Sequence, residues 1–215
     1  MTPSSERGRD RSTRPSADPT RDRIVNAAAE LFSARSFEGA TTRQIAARAG
    51  VAQPLLNYHF TSKETLWQAA VDSLFTLLDQ HMNARLQTLG DVDDVTRARL
   101  IVRDFIGFSA RHPQLHRIIL QESTAAGARM DYLLTHVRPI YESTIEMFAN
   151  LAEQGAVPAI PPTHLYYILT GGGPTMFVLG PECQELSGLD PTSDAVIEAH
   201  ADAICRLLFN DPPFP

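Results

Sequence analysis

The sequence predicts an all-α protein of about nine helices, with an N-terminal three-helix head that contains a helix-turn-helix and a larger helical body behind it. Three observations carry this. Apolar residues recur at helical spacing through most of the 215 residues. No stretch alternates with period two for long enough to make a strand, and no unit repeats along the chain. Thr41 to Lys63 reads as two short helices joined at Gly50 and followed by the start of another.

Residues 1–17 are mostly Ser, Arg, Pro and Asp, the composition of a disordered basic arm. They are either leader residues without a role or an arm whose Arg7, Arg9, Arg11 and Arg14 touch DNA. Asp18-Pro19 opens the first helix, as an N-cap followed by proline at the first helical position. Ile24, Ala27, Ala28, Leu31 and Phe32 mark its buried face, and Phe37 and Gly39 end it. Thr41 and Gln44 pair as a capping box for the second helix, which buries Ile45, Ala46 and Ala49. Gly50 stands where the turn needs a left-handed residue, and Leu56 and Phe60 anchor the third helix. Thr61 and Glu64 offer a second capping box for a long fourth helix from about Ser62 towards Leu89. Its apolar stripe is Leu66, Ala69, Ala70, Leu74, Leu77 and Leu78. Beyond Gly90-Asp91, helices are expected near 93–110, 114–124, 127–154, 163–179 and 193–209. The breaks fall at Pro113, Gly127, the proline-rich 155–162 segment and 180–192. Leu169 to Phe177 carries three glycines and Pro174, which should kink or split its helix. Such a kink either opens a pocket or lets two backbones meet, unless the segment is the end of a loop.

Composition narrows the function. The net charge is −6, yet residues 1–63 carry ten Lys and Arg against six Asp and Glu, while residues 64–215 carry nine against nineteen. A basic end on an acidic body confines attraction for nucleic acid to that end. Cys183 and Cys205 have no CxxC spacing and fit a reducing cytoplasm. The N-terminus lacks the apolar run of a secretory signal. Gln154 to Pro181 holds no charged residue, but its prolines and Gly171–Gly173 leave apolar pieces too short for a bilayer of roughly 30 Å. No membrane partner is expected. No GxSxG, P-loop, GxGxxG or Glu-x-x-His pattern occurs, and His112 and His116 are separated by Pro113 with no paired cysteines nearby. No cofactor, metal site or catalytic residue is therefore expected.

The helix-turn-helix carries the chemistry that remains. Thr42 and Arg43 begin the second helix, where free N–H groups and a hydroxyl suit a phosphate. Gln53, Pro54 and Asn57 lie on the open side of the third helix, where amide side chains read base edges. Tyr58 and His59 are polar aromatics beside the buried Phe60, and His59 and Lys63, which follows in the next helix, are the expected phosphate contacts. From residues alone, a helical lipid-binding or small-molecule-binding protein, or an enzyme with a helix-turn-helix-like start, remains the alternative class.

The run VAQPLLNYHFTSKETLW, with its Tyr58-His59-Phe60-Thr61-Ser62-Lys63-Glu64, resembles the DNA-binding domain of the TetR family of transcriptional regulators. The preceding AAAELFSARSFEGATTRQIAARAGV resembles that family's first two helices. The specific likeness covers about residues 20–70; the remainder is similar in helical layout and length. Asn57 departs from it, standing where many members carry tyrosine. The resemblance implies a head at 18–65, a C-terminal ligand-binding and dimerisation domain at 66–210, a homodimer on a double-stranded palindromic operator, and repression relieved by a small-molecule effector. It places the dimer interface on the two C-terminal helices, where Val196, Ala199, Ala203 and Leu207 form a stripe that otherwise faces the protomer's own core. It also implies a pocket, for which Phe105, Phe108, Tyr132, His136, Tyr141, Met147, Tyr166, Met176 and Phe177 are the candidates. Aromatic and Met walls suit an apolar or amphipathic effector.

Overall fold

Residues 18–210 are described by the computed structural model, and the arm with Arg7, Arg9, Arg11 and Arg14 lies outside them. Ten helices follow one another among the described residues. They are α1 (Pro19–Gly39), α2 (Thr42–Ala49), α3 (Gln53–His59), α4 (Lys63–Thr88), α5 (Asp94–Arg111), α6 (Pro113–Glu122), α7 (Ala128–Glu153), α8 (Pro162–Val178), α9 (Gly180–Ser187) and α10 (Asp194–Leu208). The all-α expectation holds. The helix beyond the expected nine is α9, in the segment read as a break. Its Pro181 sits in the first turn, where a missing N–H is harmless, and Gly188 closes it at φ 70.

Local signals fixed most boundaries. Asp18 accepts from the N–H groups of Thr20 and Arg21, and Thr41 and Gln44 form the expected capping box. The cap of α4 is one residue later than expected: Ser62 and Thr65 form the box, not Thr61 and Glu64. Pro174 does not split α8, which runs unbroken from Pro162 to Val178. It does withhold the N–H that the Thr170 carbonyl would accept.

Two apolar clusters make the core. The first joins Ile24, Phe32, Ile45, Leu56 and Trp67 of the head and α4 to Phe108, Leu115, Ile118 and Leu133 of α5, α6 and α7. The second gathers Val102, Ile106, Phe148, Leu169, Ile197 and Ile204 from α5, α7, α8 and α10. Phe105 packs against both. The expected division near residue 65 therefore falls inside α4 and inside the first cluster. Gly173 lets α8 lie close to α5, since a Cβ there would run into Ile106. Arg103 of α5 forks onto Glu198 and Asp202 of α10, tying the last helix to the body.

On α10 the core takes Ile197, Ala201, Ile204, Cys205 and Leu208. The stripe of Val196, Ala199, Ala203 and Leu207 points away from it, and Leu207 is 65% exposed. Among the described residues, no helix is long and apolar enough to cross a membrane.

Ser36 interrupts α1 near its end, at φ 61 and ψ 172. That region belongs almost entirely to glycine. Ser36→Gly is expected to stabilise the fold by about 1 kcal/mol after the extra chain entropy of glycine is subtracted. Urea unfolding measures this, and a lower midpoint would show that Ser36 rests there without strain.

Candidate nucleic-acid interface and internal cavity

The interface is built from α2, α3 and the first turn of α4. Gly50 takes the left-handed conformation at φ 66 and ψ 36, and Val51 N–H returns to the Ala46 carbonyl at 3.0 Å. This tight turn buries Ile45, Ala46 and Ala49 against Leu56 and Phe60, and leaves the other side of α3 open. Arg43, Gln53, Pro54, Asn57 and Tyr58 are exposed, and Tyr58 is 82% exposed. Gln53 Nε2 donates a long hydrogen bond of 3.4 Å to Thr42 Oγ1, joining the start of α3 to the start of α2. Thr42 is half-buried, and its own N–H and that of Arg43 precede the first intrahelical bond.

Two of the expected contacts sit differently. The His59 side chain is only 11% exposed and faces inward, with Nδ1 3.7 Å from Asp18 Oδ2. It braces the end of α3 against the start of α1 and does not stand on the open face. Lys63 is half-buried, with Nζ 4.5 Å above the Phe37 ring and 3.5 Å from the Glu38 carbonyl.

Behind the head, an apolar cavity opens between α4, α5, α6, α7 and α8. It has two lobes of about 480 Å³ and about 430 Å³. Phe75, Leu78, Phe105, Ile140, Tyr166 and Thr170 line both and form the waist.

The sequence profile of bacterial regulatory proteins of the tetR family matches residues 24–70. The HTH-type transcriptional regulator RutR of Escherichia coli is 23% identical over 186 residues, covering 86% of each chain. The HTH-type transcriptional activator FasR of Mycolicibacterium smegmatis is 32% identical over 114 residues, or 53% of this chain and 51% of its own. The crystal structure of AibR with isovaleryl coenzyme A and operator DNA has the same fold, with a TM-score of 0.72 at 23% identity over 92% of this chain and 100% of that one. The chain belongs to the TetR family. It is a helix-turn-helix, DNA-binding protein of transcription regulation.

In this TetR-family chain the candidate pocket residues divide into two groups. Phe105 and Tyr166 stand at the waist, Tyr141 lines the larger lobe and Met147 the smaller. Phe108, Tyr132, His136, Met176 and Phe177 line neither lobe. Phe108 is buried between the His81 and His112 rings, and Phe177 packs in the second cluster against His200. Tyr132 and His136 both turn to Asp72, at 2.7 and 3.0 Å. That arrangement links the cavity to the head: the Phe75 ring stacks on His136 at 4.7 Å, Tyr132 meets Trp67 at 5.9 Å, and Trp67 meets Phe37 at 6.4 Å. Phe37 lies between Lys63 and the guanidinium of Arg129, which is 4.1 Å away.

Sequence reasoning missed three residues of consequence. Arg21 lies over Phe60 at 5.3 Å, beside the end of α3. Arg138 and His116 line the larger lobe. A helical stripe shows which face is apolar but not what stands across from it, so His116 carried only the signal of its spacing from His112.

His116 is 8% exposed, and burial lowers its imidazole pKa from 6.5 to about 4. Keeping the ring neutral stabilises the fold fully above pH 6.5, and this contribution is lost as pH falls from 6.5 towards 4. Relative to the wild type, His116→Phe should therefore gain stability across that window, by up to about 3 kcal/mol. Urea unfolding of both proteins at pH 7.5 and pH 4.5 measures it. An unchanged difference would mean that His116 protonates freely in the folded protein.

Proposed function

We propose that the protein is a homodimeric cytoplasmic repressor that holds a palindromic operator and releases it when a small apolar or amphipathic molecule fills the cavity. The observation that carries this is α4. One helix contributes Lys63 to the DNA-facing end and Phe75 and Leu78 to the cavity wall. The head then comprises residues 18–65, and the effector and dimerisation body residues 66–210.

On the DNA side, Arg43, Tyr58 and Lys63, with Thr42 and Arg21 beside them, hold phosphates. Gln53, Pro54 and Asn57 face the base edges. His59 positions α3 through Asp18. The contacts from Phe75 through His136, Asp72, Tyr132, Trp67 and Phe37 to Lys63 give a filled cavity a packed route to the interface. AibR, solved with both isovaleryl coenzyme A and operator DNA, supports the pairing of an effector with an operator in this fold.

Two recognition helices must meet successive turns of the duplex, so the dimer has to hold a fixed spacing. The outward faces of α8 and α10 suit that contact. Ile168, Gly171 and Gly172 are exposed on α8, and Ala199, Ala203 and Leu207 on α10. Small residues there let two backbones come close, and the apolar rim excludes water.

Fluorescence anisotropy on operator DNA should show log K falling linearly with log salt, by about 0.9 for each phosphate neutralised. Gln53→Ala should relax one or two operator positions by about 1–3 kcal/mol of discrimination and leave that slope unchanged. A salt-independent affinity would remove the DNA-binding role, and an unchanged motif would remove Gln53 from base reading.

The double variant Ala203→Glu, Leu207→Glu places like charges on the outward face of α10. It should sediment as a folded monomer with operator affinity reduced by at least about a hundredfold, since two half-sites no longer bind together. A variant that remains dimeric would put the interface elsewhere.

A further inference from the structure

The cavity is not evenly apolar, and its polarity has a direction. The larger lobe carries His116 and Arg138 as its ionisable walls apart from tyrosines. The smaller lobe carries Asp79, with Asn83 beside it. An acidic group is therefore favoured in the first lobe and disfavoured in the second.

Arg138 differs from its neighbours. Every other arginine from α4 to α7 has an acceptor. Arg85 pairs with Asp104, Arg103 with Glu198 and Asp202, Arg111 with Asp194, and Arg129 with Glu122 and Glu38. Arg97, Arg99 and Arg117 donate to the carbonyls of Val92, Asn210 and Val178. Arg138 has no such partner among the described residues, and it stands exposed at the rim of the larger lobe.

His116 adds a second, independent observation. It is more than nine-tenths buried, it lines the same lobe, and its Nδ1 has no hydrogen-bond partner. Buried polar atoms are almost always paired, and an unpaired one calls for a partner that the protein itself does not supply. A neutral imidazole has one N–H to give.

We propose that the effector is an amphiphile with a carboxylate, its acid group held in the larger lobe by Arg138 and by an N–H of His116, and its apolar chain passing Phe75 and Tyr166 into the smaller lobe. This rests on the effector role proposed for the cavity and specifies its chemistry. At the roughly 30 Å³ that a water molecule occupies in the liquid, the larger lobe has room for roughly sixteen heavy atoms. The waist lets a longer tail continue. A carboxylate accepts from both groups at once, and a bond from a guanidinium to a carboxylate is among the stronger hydrogen bonds available.

Isothermal titration of the full-length protein with decanoate, decan-1-ol and decylamine, each below its aggregation limit, tests the assignment. These probes share one tail and differ in head charge. Decanoate should bind at least about tenfold tighter than either of the others. Arg138→Gln should bring decanoate down to the affinity of decanol without changing decanol itself. His116→Phe, which keeps an aromatic ring against Phe105, should weaken decanoate several-fold and leave decanol unchanged or improved. Circular dichroism melts confirm that both variants are folded.

Equal binding of decanoate and decanol, tightest binding of decylamine, or variants that weaken acid and alcohol alike would overturn the carboxylate assignment while leaving the cavity as an effector site. Should none of the three probes bind the wild type, the carboxylate assignment and the effector role would fall together, with DNA binding untouched.

Discussion

Trp67 is where the two ends of this protein are held together. It lies in the second turn of α4 with 1% of its surface exposed, edge-on to Phe37 from α1 and to Tyr132 from α7. A buried indole of this kind is worth about 3–5 kcal/mol relative to alanine, a large part of the stability of a chain this size. Because Trp67 and its two ring partners belong to three different helices, that energy fixes their relative placement. The head is consequently not a bead on a linker. Its core continues through α4 into α6 and α7, and Gln121 fastens the junction by donating to the Ser33 carbonyl at 3.0 Å.

Around that apolar joint the charges are arranged as braces. Arg129 reaches Glu122 on α6 and Glu38 on α1 while its guanidinium covers Phe37. Lys63 covers the same ring from another element. Each exposed pair adds little on its own. Together they set the orientation of one aromatic ring that lies between the first turn of α4 and the central tryptophan. The acidic excess of the body serves a separate purpose, leaving the basic end as the one surface with an attraction for the duplex.

What the sequence disclosed followed how local the signal was. The Thr41–Gln44 box, Gly50 and the buried Ile45–Leu56 pair are short-range features, and the head was legible from them. Ser62 and Thr65 were hidden behind Thr61 and Glu64 because the two candidate boxes overlap by one position, and only the backbone selects between them. Helix α9 was hidden because Gly180-Pro181 marks a helix start as readily as a break. The cavity was legible only as a class of residues. Tyr132 and His136 have the composition of pocket walls, yet Asp72 across from them on α4 turns both aside. Contacts of that kind join residues about sixty positions apart and leave no periodic trace.

On the proposed function, the geometry of α4 turns a small change at the cavity into a large one at DNA. Phe75 and Lys63 are twelve residues apart, roughly 18 Å along a helix. A tilt of about five degrees pivoting near Phe75 moves the far end by roughly 1.5 Å over that length. On the proposed dimer the two heads move in opposite senses, so their separation changes by about twice as much. Recognition helices fitted to successive major grooves tolerate little error in spacing, because both half-sites must be engaged at once. The requirement on the effector is then modest. It has to favour one tilt of α4 over another by a coupling free energy of about 1–3 kcal/mol, the ordinary range for linked sites. Packing against Phe75 and Leu78 on the same helix is enough to supply it. The rigidity of the joint at Trp67 keeps that tilt from being absorbed before it reaches Lys63.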